Sequence, residues 1–469
     1  MYDTLTPASV LPVLDEAELR RLEAEYCSHG DTVHYMADPK FFETCEGSYM
    51  FDAEGRRFLD LQMWYSAVNF GYRNPRLNAV AHRQLDRLPQ VASQYLHREK
   101  VELAAMIAQD AERKFGRKGR VHFNVGGAQA VEDSLKLVRN ASGGKQLMFA
   151  FEGGYHGRTL GASAITSSYR YRRRFGHFGD RAQFIEFPYH FRGPKGMSKE
   201  EYGHACVQKF ARLFETEYNG VLDTKTGQAE FAAFYVEPIQ GTGGYVIPPP
   251  NFFTELKKVL DQHGILLVVD EIQMGMFRTG KLWAIEHFGV QPDVLVFGKA
   301  LTNGLNPLSG VWAREELISP EMFPPGSTHS TFNSNPMGTA VALEALKMVS
   351  EVDYGAAVMA KGAYFLEGLR ELQTRWPQIG DVDGLGLALR CEICEADGFT
   401  PNKKLLDLMA DEGMKADLKA GSGTFGLILD VGGYYKNVIT LAPSLEITFE
   451  EIDLAIELLD ILLRRCTAI

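Results

Sequence analysis

The sequence predicts an α/β protein with a large, mostly parallel sheet flanked by helices and a smaller α+β domain beside it. Three observations carry this. Short apolar runs alternate with amphipathic helical stretches from Val121 to Trp312. Several of the runs are apolar throughout, as strands covered on both faces must be. From about Asn335 the texture changes to longer helical stretches with short strands between them. Sustained strand–helix alternation implies a doubly covered parallel sheet.

Taken in order, helical periodicity opens at Asp15 (DEAELRRLEAEYC), with acids in the first turn where the helix dipole favours them. Residues Gly47 to Leu61 read as a hairpin turning at Asp52-Ala53-Glu54-Gly55. The strand runs are Val121–Asn124, Leu147–Phe151, Gln183–Phe187, Phe231–Val236, Ile265–Val269, Val294–Phe297 and Ser309–Trp312, seven in all. Helices between them include Ala130–Arg139, Lys199–Glu217 and Phe252–Gln262; later ones are Pro336–Ser350, Tyr354–Gln373 and Phe449–Arg464. The domain division expected is an N-terminal segment 1–60 belonging to the small domain, a large domain 61–334 and a C-terminal part 335–469. No internal repeat, low-complexity stretch or flexible linker interrupts the 469 residues.

Composition narrows the function classes. With 45% hydrophobic and 23% charged residues the chain is core-forming, not disordered or collagen-like. The formal charge of −11 and the lack of a basic tail argue against nucleic acid as a partner. Six scattered cysteines suit a reducing compartment rather than a disulfide framework. Cys391 and Cys394 make a lone C-x-x-C in an apolar stretch, read as structural thiols ahead of a metal or redox pair. Met1 to Pro12 has no secretory pattern, and no apolar run approaches bilayer-spanning length. The expectation is a cytoplasmic protein with no membrane partner and no metal.

The segment Ile265 to Leu301 is the most informative. One apolar run ends in Asp270-Glu271 and the next in Gly298-Lys299, so an acid and an amine share one rim of the sheet. That rim, at the carboxyl ends of strands, is where open α/β sheets bind ligands. A carboxylate for a heterocyclic nitrogen and a lysine able to form a Schiff base are what pyridoxal phosphate needs. A buried Asp–Lys ion pair would give the same spacing.

Gly126-Gly127-Ala128 follows the strand VHFN and opens a helix, where exposed N–H groups make an anion site; a plain tight turn reads identically. Neither dinucleotide nor P-loop glycine spacing is present. In Gly153-Gly154-Tyr155-His156-Gly157-Arg158-Thr159 an aromatic ring stands between glycines, either to stack on a planar ligand or to anchor a loop.

In order, these motifs resemble the class III aminotransferases, of the ornithine, 4-aminobutyrate and ω types, which are pyridoxal-phosphate enzymes of fold type I. The match runs from Tyr49 to the C-terminal helix through GGYHGRT, EPIQGTGGY (Glu237–Tyr245), DEIQMGMFRTGKLWAIEHFGVQPDVLVFGKAL and STFNSNPMG (Ser330–Gly338). The resemblance implies that Lys299 is the Schiff-base lysine and also moves the proton at substrate Cα. It implies that Asp270 pairs with the pyridinium nitrogen and that Ile272 and Tyr155 sandwich the ring, with His156 beside them. Gln273 would reach the phenolic oxygen, and Gly126, Gly127 and Ala128 the phosphate. Thr331 would reach the phosphate of a neighbouring subunit's cofactor, which implies a homodimer with shared sites, tetramers being left open.

Departures from the family pattern bear on substrate. Ala128 stands where a hydroxyl residue is usual. Thr242 replaces the Glu of G-E-G-G, and Thr440 the Arg of N-V-[IL]-R, so both halves of the glutamate/2-oxoglutarate switch are missing. Candidates for the substrate carboxylate are Arg158, the run Arg170/Arg172/Arg173/Arg174, and Arg390; Trp64, Tyr65, Ser66 and Thr242 would wall the pocket. The expected activity is transfer of an amino group from an amino acid or amine to a 2-oxo acid or aldehyde. Alternatives are racemisation or epimerisation, or decarboxylation, with the same cofactor, or a binding protein on the same scaffold.

Overall fold

The computed structural model describes residues 15–32, 39–173, 175, 179 and 181–468. The expected absence of a leader at Met1 to Pro12, and Arg174, lie outside these. The first helix, Glu16–Tyr26, starts where its acids predict, and the Glu18 N–H donates to the Asp15 side chain at 2.8 Å.

The central sheet has seven strands in the spatial order Gly119–Asn124, Ser309–Arg314, Val294–Phe297, Leu266–Asp270, Phe231–Val236, Leu147–Phe151, Gln183–Ile185. Neighbours are parallel from Val294–Phe297 to the far edge. Ser309–Arg314 departs from the parallel pattern, running antiparallel to both of its neighbours. Alternate residues feed two separate cores. Phe234, Leu267, Val269 and Leu295 join one, while Ala233, Val268, Val294 and Val296 join the other. In the inner strands Phe231–Val236, Leu266–Asp270 and Val294–Phe297 both faces are dry, which is why they read as nearly unbroken apolar runs.

The hairpin strands Tyr49–Asp52 and Arg57–Asp60 pair as expected, and Arg57–Asp60 also pairs in parallel with Gly423–Ile428. That pairing sets Phe58 opposite Gly426 and brings residues 60–66 beside 428–431. A further sheet runs Ile379–Leu385, Ala388–Ile393, Val438–Leu441, Asp430–Gly432. Cys391 and Cys394 are buried there as free thiols, and burial raises Cys394 to about 11.

One segment has no sequence signal. Met63, Trp64, Tyr65 and Ser66 all have positive φ, from 44° to 63°, and form a left-handed helical turn. Such backbone costs about 1–2 kcal/mol per residue, so the surroundings must hold it. The fully buried Arg278 does so with no carboxylate partner among the described residues. It donates to Ser66 Oγ (2.9 Å), Asn69 Oδ1 (2.6 Å) and the carbonyls of Leu387 (3.1 Å) and Pro443 (2.6 Å). One guanidinium thereby clamps the turn, the loop after Asp270 and the C-terminal part of the chain together.

Candidate active site

The carboxyl ends of four parallel strands supply the floor. Asp270 closes its strand opposite Val296, and Lys299 follows two residues after the end of the Val294–Phe297 strand. Glu237 comes directly after Val236, and Gly126 two residues after Asn124. The Glu271 N–H donates to the Val296 carbonyl at 2.8 Å, which locks the two strand ends together beyond the sheet.

Asp270 is buried and held at both oxygens. His156 Nδ1 lies 2.9 Å from Oδ2, and the Ile272 N–H donates to Oδ1 at 3.1 Å. Burial opposes a charged imidazole, but the adjoining Asp270 carboxylate outweighs it and raises the pKa of His156. Lys299 has φ 43°, a left-handed backbone after Gly298. Burial lowers the pKa of its amine against the opposing pull of Asp270, Glu237 and Asp430. A lysine held this way is a better nucleophile and base at neutral pH. Burial pushes Glu237 up to about 7, although it accepts the N–H groups of Tyr155 (2.9 Å) and Gly241 (2.8 Å).

The helix Gly127–Ala141 points its N-terminus at this floor and has no side-chain cap. Its first-turn N–H groups have no partner within the helix. A Cβ added at Gly126 would meet nothing within 4 Å, so the space before the helix is open. A Cβ at Gly127 would lie 2.8 Å from Ile272 Cδ1, which fixes how closely the helix start approaches the residue after Asp270. An anion cradle, an acid, an amine and the apolar Ile272 thus surround one space. These groups fit a planar heterocycle bearing a phosphate, a ring nitrogen and an aldehyde.

Above the floor a cavity is lined by Tyr65, Tyr155, Arg158, Arg170, Tyr171, Thr242, Gln273, Lys299, Asp430 and Lys436, among others. It shares Tyr65, Arg170, Asp430, Val431 and Lys436 with a larger outer cavity that also reaches Gln62, Trp64 and Arg173. Gln273 donates its amide to the Tyr245 hydroxyl at 3.0 Å, and Thr242 donates to the Gly153 carbonyl at 3.2 Å. The exposed Arg158 lies over the Tyr171 ring, 4.6 Å from its centroid.

Not every expected site residue lines these two cavities. Ser66 is fully buried and lines neither cavity; its hydroxyl donates to the Gln273 carbonyl and accepts from Arg278, so it fixes the wall from behind. Trp64 is 57% exposed and borders only the outer cavity. Arg390 is buried against Asp381 (3.1 Å), Glu392 and Tyr189, and does not line the cavity that holds Lys299. Arg172 is also buried and donates to the Ser167 carbonyl. Thr331 is exposed and lines a separate hollow with Val125, Pro307 and Phe332. No group of three or more His, Cys, Asp or Glu able to hold a metal occurs among the described residues.

Two functional candidates escaped the sequence reading. Asp430 accepts from the Gln62 amide (3.3 Å) and from the hydroxyl of Thr440, opposite it in register. Lys436, two residues before the last strand of that sheet, enters the cavity from a turn with φ 57°. The signal for Asp430 was available, since Leu427-Ile428-Leu429-Asp430 is another apolar run ending in an acid.

Comparison with known proteins agrees with this geometry. A family model described as class III aminotransferase matches residues 32–463. The chain is similar to an alanine/serine racemase of Pyrococcus horikoshii, 32% identical over 416 residues, covering 88% of this chain and 83% of that protein. It is similar to an ornithine aminotransferase of Saccharomyces cerevisiae, 31% identical and covering 93% and 95% of the two chains. Among solved structures, an (S)-enantioselective omega-transaminase from Thermomicrobium roseum superposes with a TM-score of 0.85 at 28% identity, covering 97% and 99%. A PLP-bound amine transaminase from an uncultivated Pseudomonas species does so with a TM-score of 0.83 at 26% identity, covering 94% and 98%.

Proposed function

Because the chain belongs to the class III aminotransferases, a pyridoxal-phosphate-dependent family, we propose that Lys299 and Asp270 carry its transfer of an amino group from an amino acid or amine to a 2-oxo acid or aldehyde. When bound, pyridoxal phosphate supplies an aldehyde for an incoming amine and a ring that takes up the electron pair left when the Cα–H bond breaks.

The residues divide that work. The N–H groups at Gly126, Gly127 and Ala128 would hold the phosphate, with no side-chain hydroxyl at 128 to assist. Asp270, oriented by His156 and Ile272, keeps the ring nitrogen protonated. Ile272 and Tyr155 would bound the ring's two faces, and Gln273 would face its phenolic oxygen. Lys299 would hold the aldehyde carbon until an incoming amine displaces it, and its freed amine would then be the base that moves the proton at substrate Cα. The single observation carrying this is the adjacency of Asp270 and Lys299 at two paired strand ends beside an uncapped helix N-terminus.

We further propose a homodimer, supported by Thr331 standing exposed beside Val125 on a face that includes the 68% exposed Phe332. Six free thiols favour a cytoplasmic setting. Among the described residues no helix is long and apolar enough to cross a membrane.

A second reading, racemisation of an amino acid, is favoured by the similarity to an alanine/serine racemase and by Thr242 and Thr440 standing in place of the switch residues. A panel of single-enantiomer donors, each with pyruvate and with 2-oxoglutarate, separates the two. Keto product and a new amino acid support transfer; inversion of the donor without any keto acid supports racemisation.

A further inference from the structure

We infer that Lys436 is the receptor for a carboxylate on the substrate, replacing the cation that is missing at position 440. The inference rests on the aminotransferase reading for what enters the cavity, but not on which reaction follows.

Thr440 directs its hydroxyl to Asp430, so nothing at 440 can receive an anion. Lys436 lines both the inner cavity with Lys299 and the outer one that leads to it. It is half-buried, and among the described residues its ammonium has no hydrogen bond and no ion pair. Leaving a cation part-way out of water with no direct hydrogen bond or ion pair is unfavourable unless a ligand completes the site. The two arginines of the inner cavity differ: Arg158 is engaged over Tyr171, and Arg170 has a partner of its own.

The backbone supports the same conclusion. Lys436 holds φ 57°, where glycine or asparagine would be unstrained. Its turn is fastened on both sides. The Gly433 N–H donates to the Thr242 carbonyl at 3.0 Å, and Asn437 donates to the Ile393 carbonyl at 2.7 Å. A strained lysine held rigidly at a cavity mouth is a positioned charge. Burial and the fields of Arg170 and Lys403 lower the pKa of Lys436, and Asp430, fixed by Gln62 and Thr440, opposes them.

The test uses calorimetry on the cofactor-loaded enzyme with two probes of one shape, butanoate and butanamide. Wild type should bind butanoate at least about tenfold more tightly, as one charge-assisted contact requires. Lys436→Met and Lys436→Gly should each lose that preference about tenfold or more, the glycine variant having relieved the backbone strain. Lys436→Arg should keep it. No preference in wild type, or one that survives in Lys436→Met within about threefold, overturns the inference. Collapse in Arg158→Met alone would move the receptor to Arg158. Failure of the transfer reading is seen separately, as absence of keto product from every donor.

Discussion

The floor of the cavity and its mouth are built on different principles. Floor residues come from strand ends and one helix start, a few residues from a regular element: Glu237, Asp270, Lys299 and Gly126. Mouth residues come from a left-handed turn at 63–66, the loop after Tyr155 and the strand and turn at 430–436, regions far apart in sequence. The floor inherits its precision from sheet register. The mouth must be clamped by tertiary contacts, of which the four donations from Arg278 are the clearest. Chemistry is therefore robust to changes at the mouth, while substrate choice is free to vary there.

Substitutions can test that contrast. The largest effect is expected at the floor. Asp270→Asn should leave the fold intact but lower kcat/KM about 10²- to 10³-fold, the cost of removing one aligned electrostatic partner. It should also let the pKa of His156 fall, measurable by NMR titration of its ring, because the carboxylate that raised it is gone. A wild-type rate in this variant would break the division.

Next comes the clamp. Arg278→Met strands buried acceptors at Ser66, Asn69, Leu387 and Pro443 and should cost about 3 kcal/mol in chemical denaturation. Its cofactor affinity should change less than its KM for substrate, since the clamp holds the mouth. A change confined to cofactor affinity would contradict the picture.

Glu271 offers a pH test of the support beneath the floor. It accepts the N–H groups of Ala284 and Ile285 at 2.9 and 2.8 Å, and burial raises it to about 8. The folded form thus holds a proton that the unfolded form has lost above roughly pH 4.3, so this group's contribution to stability declines as pH rises toward 8. Glu271→Gln should flatten that decline by at most one proton, about 1.4 kcal/mol per pH unit. Unchanged slope in denaturation curves between pH 5 and 8 would mean that Glu271 does not titrate there.

The smallest effect should be Ala128→Ser, which restores the hydroxyl usual in the family. One added hydrogen bond is worth about 1 kcal/mol, or roughly fivefold tighter retention of pyridoxal phosphate on dialysis. No gain would mean that the N–H groups already satisfy the phosphate.

How much was legible follows the same line. Phe231–Val236, Leu147–Phe151 and Val294–Phe297 are read from sequence to the residue, because burial on both faces leaves no polar position to blur their ends. The antiparallel direction of Ser309–Arg314 was not legible, since burial alone does not reveal direction. Asp270 and Lys299 stood out because an ionisable residue ending an apolar run is conspicuous. Ser66, taken as a wall residue, turned inward, because a left-handed turn reverses which side chains face the ligand and no residue type announces it. Arg390 looked available in sequence and is consumed by Asp381 and Glu392, ion partners that only folding brings near. Lys436 was silent, since one lysine in a polar turn looks like any other.

Reduction of the cofactor-loaded enzyme with borohydride, followed by peptide mapping, bears most directly on the floor. A single pyridoxyl group on Lys299 is the predicted outcome. A group on Lys436, the cavity's other lysine, or on no lysine at all, would contradict the assignment.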